Sequence, residues 1–245
     1  MNEGETTMLL EVIATTLSDA VLAEQYGADR IELITGISEG GLTPSLGLIE
    51  KVRDSVSIPV RVMVRPHARS FYYDKDDIET MARDIQHIAS IGGLAIVMGM
   101  LGQEGSIDEE SLQRLLHVAK DLEVTFHRAF DEVRDQFEAL EILTRYPQIT
   151  DILTSGAQTT APRGAERIAA LEQFSAGRSI SILAGSGLTA DGISNFIQQT
   201  GVHRVHFGSA IREDGDALNP IDPLRLQAVR NLLDQKKVTS HTDHY

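Results

Sequence analysis

The chain has 245 residues, with 22 Lys and Arg against 36 Asp and Glu for a formal net charge of −14, and no cysteine or tryptophan. That acidic balance sets it against nucleic-acid backbones and anionic membrane surfaces. The missing cysteines exclude disulfides, thiolate metal sites and thiol nucleophiles.

Residues 1–7 are polar and acidic and lack the basic and apolar regions of a secretory signal, so they read as a disordered tail of a cytoplasmic protein. One unit then repeats along the chain: a run rich in Val, Ile and Leu, a polar turn, and a helical stretch. The strand-like runs are Leu9–Ala14, Asp29–Ile34, Pro59–Arg65, Leu94–Gly99, Leu122–His127, Thr150–Thr154, Ser179–Ala184 and His203–Phe207. Helices are predicted to begin near Ser18, Ser45, Lys75, Asp108, Asp135, Arg163, Thr189 and Asp222, with Ser18, Ser45 and Asp108 as capping or first-turn residues and Gly27 and Gly201 as stops. The longest nearly apolar run, Gly92–Gly102, falls short of the roughly 20 residues a membrane span needs. The last stretch, 238–245, reads as a flexible polar tail whose His241 and His244 are bystanders.

Eight strand–helix units of about 30 residues predict a parallel sheet closed into a single-domain (β/α)8 TIM barrel over residues 8–237. An open doubly wound sheet is the competing architecture. It commonly carries a glycine fingerprint after the first strand, where this chain has Thr15-Thr16-Leu17.

Side chains alternate faces along a strand, so polarity sorts them. The apolar sets (Ile31 and Leu33, Val60, Val62 and Val64, Val124 and Phe126, Val205 and Phe207) belong against the helices. The lumen then receives Glu11, Arg30, Glu32, Arg61, Arg65, His127, Arg204 and His206 instead of the usual aliphatic filling. Buried charges need partners. This set reads either as a structural ion network or as a site at the C-terminal ends of the strands, where this fold places function. Arg61 and Arg204 sit deeper and read as structural.

The loops add candidates. His127-Arg128-Ala129-Phe130-Asp131 follows strand 5, a general base flanked by a cation and a carboxylate. Thr154-Ser155-Gly156 follows strand 6. Ala184-Gly185-Ser186-Gly187 and Gly208-Ser209-Ala210 end strands 7 and 8, where glycine turns commonly cradle an anion. The candidate catalytic residues are Glu11, Glu32, His127 and Asp131. The candidate substrate-binding residues are Arg30, Arg65, Arg128, Ser155, Gly185, Gly187, His206 and Ser209.

These segments resemble the CutC copper-homeostasis family of single-domain TIM barrels. The likeness lies in LLEV at Leu9–Val12, GADRIEL at Gly27–Leu33, EGGLTPS at Glu39–Ser45 and IPV at Ile58–Val60. It continues through Arg65-Pro66, TFHRAFD at Thr125–Asp131, LTSG at Leu153–Gly156, the Ala184–Gly187 turn, and His206 with Ser209-Ala210. The resemblance implies copper homeostasis, copper as cofactor or ligand, a cytoplasmic location and a homodimer as a partner state. Two departures stand out. Ile13 and Ile34 occupy the positions where family members discussed as copper binders carry cysteine, and His67-Ala68-Arg69-Ser70-Phe71 replaces the family's Arg-Gly-Gly-Asp-Phe after Arg-Pro.

Cu(I) prefers sulfur ligands, which leaves Met63, Met98 and Met100 as substitutes, although inward methionines are commonly core filler. His127 and His206 with Glu11 or Glu32 would suit another divalent metal, such as Zn, Mn or Mg. His87 and His117 fall on solvated helix faces, and His67 lies in the divergent loop. Three functions are open: a copper-handling protein, a TIM-barrel enzyme acting on a small anionic, phosphorylated or sugar-like molecule, and an interaction scaffold, which no apolar or basic stripe supports.

Overall fold

The structure, a computed structural model, describes residues 7–239. The tail expected over 1–7 therefore falls almost wholly outside the described residues, as do His241 and His244. Eight parallel strands close into a barrel in sequence order: β1 Leu9–Ala14, β2 Arg30–Leu33, β3 Val60–Met63, β4 Ala95–Met98, β5 Val124–Phe126, β6 Ile149–Thr154, β7 Ser181–Gly185 and β8 Arg204–Phe207. Closure is made where Leu9 to Val12 of β1 pair with Arg204 to Phe207 of β8. This pairing rules out the open sheet.

A helix follows each strand: α1 Leu17–Gln25, α2 Leu46–Ser55, α3 Lys75–Ile91, α4 Glu109–Ala119, α5 Gln136–Leu143, α6 Ala165–Ser175, α7 Ala190–Thr200 and α8 Pro223–Thr239. Side chains at the N-termini take up backbone N–H groups that the helix leaves free. Ser45, Asp108, Asp135 and Thr189 cap α2, α4, α5 and α7, and Asp74 forms a capping box with Asp77. The cap of α1 is Thr16, two residues before the Ser18 of the sequence reading, because the Thr16 side chain accepts from the N–H of Asp19. Helix α6 starts after Gly164, and α8 runs through Thr239 into the stretch read as a tail.

Most predicted strands extend one or two residues beyond the ladder. Arg65 and His127 lie past β3 and β5, where the chain leaves its neighbours and enters the loops of the mouth. The helix-facing side chains Leu10, Val12, Ile31, Leu33, Val62, Phe126, Val205 and Phe207 are buried with the inner faces of the helices in one apolar cluster. Burial on both faces of the sheet is what a fully parallel barrel requires.

Candidate functional site

The lumen divides along the barrel axis. Its lower part is built around Asp151 on β6, a residue that polarity sorting missed. Asp151 Oδ2 lies 3.2 Å from Arg30 Nη1 and 3.0 Å from Arg61 Nη2, and Oδ1 lies 2.6 Å from Arg204 Nη1. Arg61 also donates to Thr125 Oγ1 at 3.0 Å and to Glu123 Oε2 at 2.8 Å. Asp151 thus lies among three guanidinium groups, and although burial works in the opposite sense, Arg30 and Arg61 hold its carboxyl below the usual range. The structural roles read for Arg61 and Arg204 match these contacts.

Above this layer Glu11 accepts from Arg30 Nε at 2.5 Å through Oε2, and Oε1 lies 2.8 Å from His206 Nδ1. Burial alone would raise the Glu11 carboxyl. Arg30 and the His206 hydrogen bond outweigh it and hold the carboxyl down at about 2. Burial likewise opposes charge on His206, but the two glutamates beside it, Glu32 and Glu11, favour the imidazolium and raise its pKa. Glu11 and Arg30, read as catalytic and substrate-binding, are therefore enclosed parts of the network. Both Glu11 oxygens are taken, and neither residue lines the cavity above.

The mouth holds a cavity of about 380 Å³. Of the predicted site residues it brings together Glu32, Arg65, His127, Arg128, Gly187, His206 and Ser209. Glu32 is 2% exposed, its Oε2 lies 3.8 Å from His206 Nε2, and its Oε1 has no hydrogen-bond partner. Burial pushes the Glu32 carboxyl up to about 7, and Glu11 adds to the rise. His127 is 3% exposed, and its Nδ1 accepts from the backbone N–H of Ala129 at 3.1 Å, which puts the proton of the neutral ring on Nε2. That Nε2 has no partner. Burial, reinforced by the charge of Arg65, pushes His127 down to about 3, so the ring is neutral at physiological pH. In this state its free nitrogen carries a proton to donate.

Asp131 does not orient His127. A tight turn from Arg128 to Glu132 carries it to the loop after β6, where it accepts from Thr154 Oγ1 at 2.5 Å and from the N–H groups of Ser155 and Ala157 at 3.1 Å. It also pairs with Arg128 Nε at 2.8 Å. Ser155 is spent in the same knot, donating to the Gln158 carbonyl. Asp131 and Ser155 fasten the loops that form the mouth and do not face the cavity.

Gly185 is a packing glycine, since a Cβ there would sit 2.7 Å from Leu153 Cδ1. Gly187 has φ +69°, and a Cβ would fall 2.6 Å from Thr160 Cγ2, so both conformation and space demand glycine. Gly187, Leu188, Ser209 and Ala210 all line the cavity, and among them the N–H groups of Gly187 and Leu188, outside any helix or strand, take no backbone partner. Arg65, just past the end of β3, also lines the cavity. Its Nη1 donates to the carbonyls of Glu39 and Gly41, its guanidinium lies 4.7 Å over the Phe71 ring, and its Nε is unpartnered. Phe71 in turn packs 4.8 Å from His127. It was overlooked because it lies in the divergent loop, where an aromatic near Arg65 was the only signal.

The remaining candidates lie elsewhere. His67 sits 3.1 Å from Asp77 at the start of α3, and His87 and His117 are exposed on helices. Met98 and Met100 are enclosed in the helix-side core, which leaves Met63 as the methionine in the lumen, packed with Ile34 and Val97. Ile13 and Ile34 line the cavity, so the positions of the family's cysteines present an apolar wall.

This donor set, with one thioether and no thiolate, fits poorly the soft sulfur ligation that Cu(I) prefers. Glu11, Glu32 and His206 can each offer a ligand atom, all within 4.8 Å of one another. As folded, the Glu11 oxygens and His206 Nδ1 are engaged with Arg30 and each other, so a metal there would have to displace these ion pairs. Among the described residues no helix is long and apolar enough to cross a membrane.

With this geometry in view, known proteins place the chain. The CutC family model matches residues 8–211. A family protein CutC of Porphyromonas gingivalis is 41% identical over 209 residues, covering 84% of this chain and 82% of that protein. A Homo sapiens protein named copper homeostasis protein cutC homolog is 39% identical over 206 residues, covering 84% and 75%. The crystal structure of CutC from Streptococcus agalactiae superposes with a TM-score of 0.77 at 30% identity, covering 82% of this chain and 98% of that one.

Proposed function

This chain belongs to the CutC family, and from that premise we propose that it acts in cytoplasmic copper homeostasis, the role for which the family is named, through the polar cavity at the barrel mouth and without carrying Cu(I) on sulfur. The observation that supports this is convergence. Glu32 from GADRIEL, Glu39 and Gly40 from EGGLTPS, His127 from TFHRAFD, and His206 with Ser209 all line one cavity, while the two cysteine positions there hold isoleucine. Whatever the cavity does for copper tolerance must then pass through carboxylate, imidazole, guanidinium and backbone N–H chemistry.

Copper challenge tests the proposal in a host whose own family member has been deleted. The wild-type chain should restore growth, and the cavity variants Glu32→Ala and His206→Ala should not, at equal soluble expression. A competition titration under reducing conditions should show no stoichiometric Cu(I). Tight Cu(I) uptake, or full rescue by both variants, would overturn the reading.

A second reading, an enzyme acting on a small anionic molecule, is favoured by one specific observation. A buried carboxylate oxygen and a buried imidazole N–H line this cavity without partners, together with Arg65 and with Gly187 and Leu188, whose backbone N–H groups take no backbone partner. Leaving such groups unpaired costs about 1–3 kcal/mol each, a cost that a ligand removes.

A further inference from the structure

The two unpartnered groups at the mouth are chemically different, and the difference suggests a reaction. Because Nδ1 of His127 is occupied by the Ala129 N–H, the ring offers a fixed, uncharged N–H at Nε2 and no basic nitrogen. Glu32 offers a free carboxylate oxygen on a side chain almost wholly removed from water, with His206 behind its other oxygen. A carboxylate base together with a neutral imidazole donor is a recurring apparatus for proton transfer beside a carbonyl, since the donor can hold a developing oxyanion without a competing proton equilibrium. The same cavity is lined by Gly187 and Leu188 of the turn after β7, whose N–H groups take no backbone partner, by Ser209 and Ala210 after β8, and by Arg65. Backbone N–H groups so placed suit an anionic substituent.

We propose that the mouth is an enolisation site for a small carbonyl compound bearing a phosphate or carboxylate, with Glu32 as the base and His127 Nε2–H as the donor to the carbonyl oxygen. The anionic substituent rests on the turns after β7 and β8. Glu32 accepts the proton from the carbon next to the carbonyl, and the C–H electron pair becomes the new carbon–carbon π bond. The carbonyl π pair moves onto the oxygen held by His127. Where the carbon that lost its proton carries a hydroxyl, transfer of that hydroxyl's proton to the oxygen held by His127, followed by return of the proton from Glu32 to the former carbonyl carbon, gives the isomeric carbonyl compound, and return to the original carbon restores the starting one. No oxidant, reductant or second substrate is consumed. Glu11, with both oxygens engaged, positions His206 behind Glu32 and takes no part in the transfer. This inference rests on the enzyme reading above and narrows it to one reaction class.

Calorimetric titration of the full chain with 2-phosphoglycolate, a planar mimic of a phosphorylated enediolate, and with inorganic phosphate separates the two levels. The mimic places a carboxylate against Glu32, so it binds with uptake of one proton. The wild-type chain should bind it at least about tenfold more tightly than phosphate near neutrality. Its affinity relative to phosphate should then weaken by about tenfold per pH unit as Glu32 ionises. Glu32→Gln should bind the mimic without that added slope, and His127→Ala should lose the advantage over phosphate while keeping phosphate affinity, which shows that it has folded. Nitrogen-15 NMR of the free protein should show the Nε2–H tautomer of His127, with no imidazolium signal near neutral pH. Equal binding of mimic and phosphate, an unchanged slope in Glu32→Gln, or an Nδ1–H or charged His127 would overturn the proposal and leave a plain anion site. If neither probe binds, the anionic-ligand reading falls with it.

Discussion

Two halves of one polar lumen behave in opposite ways. Around Asp151 the charges are closed on one another, with Arg30, Arg61 and Arg204 all reaching its carboxylate. At the mouth, Glu32, His127 and Arg65 each keep a buried polar atom without a partner. A folded chain tolerates unpaired groups at a cost, and does so where they serve a ligand. The lower half therefore has the geometry of a closed ion network, and the proposed function rests on the upper half alone.

The largest effect should come from breaking the lower half. Asp151→Ala leaves three guanidinium groups facing one another in the barrel, and removing one partner from a buried pair costs about 3–5 kcal/mol. Urea denaturation should find this variant barely folded, whereas Ser209→Ala at the mouth should lie within about 0.5 kcal/mol of the parent. Equal stability of Asp151→Ala and the parent would remove the distinction.

Acid should expose the same lower network. The Glu11 carboxyl lies at about 2 in the folded chain against 4.5 when free. Its ionised form thus contributes stability that is fully present above 4.5 and is lost as pH falls towards 2. By linkage that amounts to about 3 kcal/mol or slightly more. Unfolding curves of wild type and Glu11→Gln should differ at neutral pH and converge in this acid window. Parallel curves would show that Arg30 and His206 do not hold Glu11 as the geometry indicates.

Gly187→Ala tests the mouth on a smaller scale. Its positive φ and the contact with Thr160 should destabilise the fold by about 1–2 kcal/mol, and phosphate affinity should fall several-fold by titration. Unchanged phosphate binding would take the turn after β7 out of the site. Smallest of all, Arg134→Ala removes an exposed pair with Glu138 on the outside of the barrel. It should change the unfolding free energy by less than about 0.5 kcal/mol. A larger loss would mean that surface pairs, and not the lumen, dominate the electrostatic stability.

The barrel was legible because the two periodicities alternate so regularly, and the lumen was legible because Arg30 and Glu32, or Arg204 and His206, alternate with aliphatic residues. Asp151 escaped notice because β6 is polar on both faces: Thr154 follows Ile152 on one, and Asp151 precedes Leu153 on the other. Glu11 and Glu32 look alike in a strand pattern. Only the packed side chains reveal that the first has both oxygens taken and the second has one free. Asp131 shows the limit of reading along a loop. Four residues from His127, it is turned by a helical twist of the backbone towards Ser155, a direction set by folded geometry and not by spacing. Sulfur ligation of Cu(I) is the part of the copper reading that the sequence and the structure disfavour, because Ile13 and Ile34 line the cavity and Met98 and Met100 do not.

The most direct test of the division is the stability of Glu32→Gln near pH 8. A buried carboxyl raised to about 7 from 4.5 binds its proton more tightly in the folded state, so stability falls as pH rises through that window. If the mouth is kept for a ligand at the expense of the fold, removing the charge should stabilise the protein by about 2 kcal/mol near pH 8 and flatten the pH dependence between about 5 and 7. A Glu32→Gln variant less stable than the parent there would place Glu32 with Asp151 and Glu11 in the structural network, and the account of the mouth as a functional site would be contradicted.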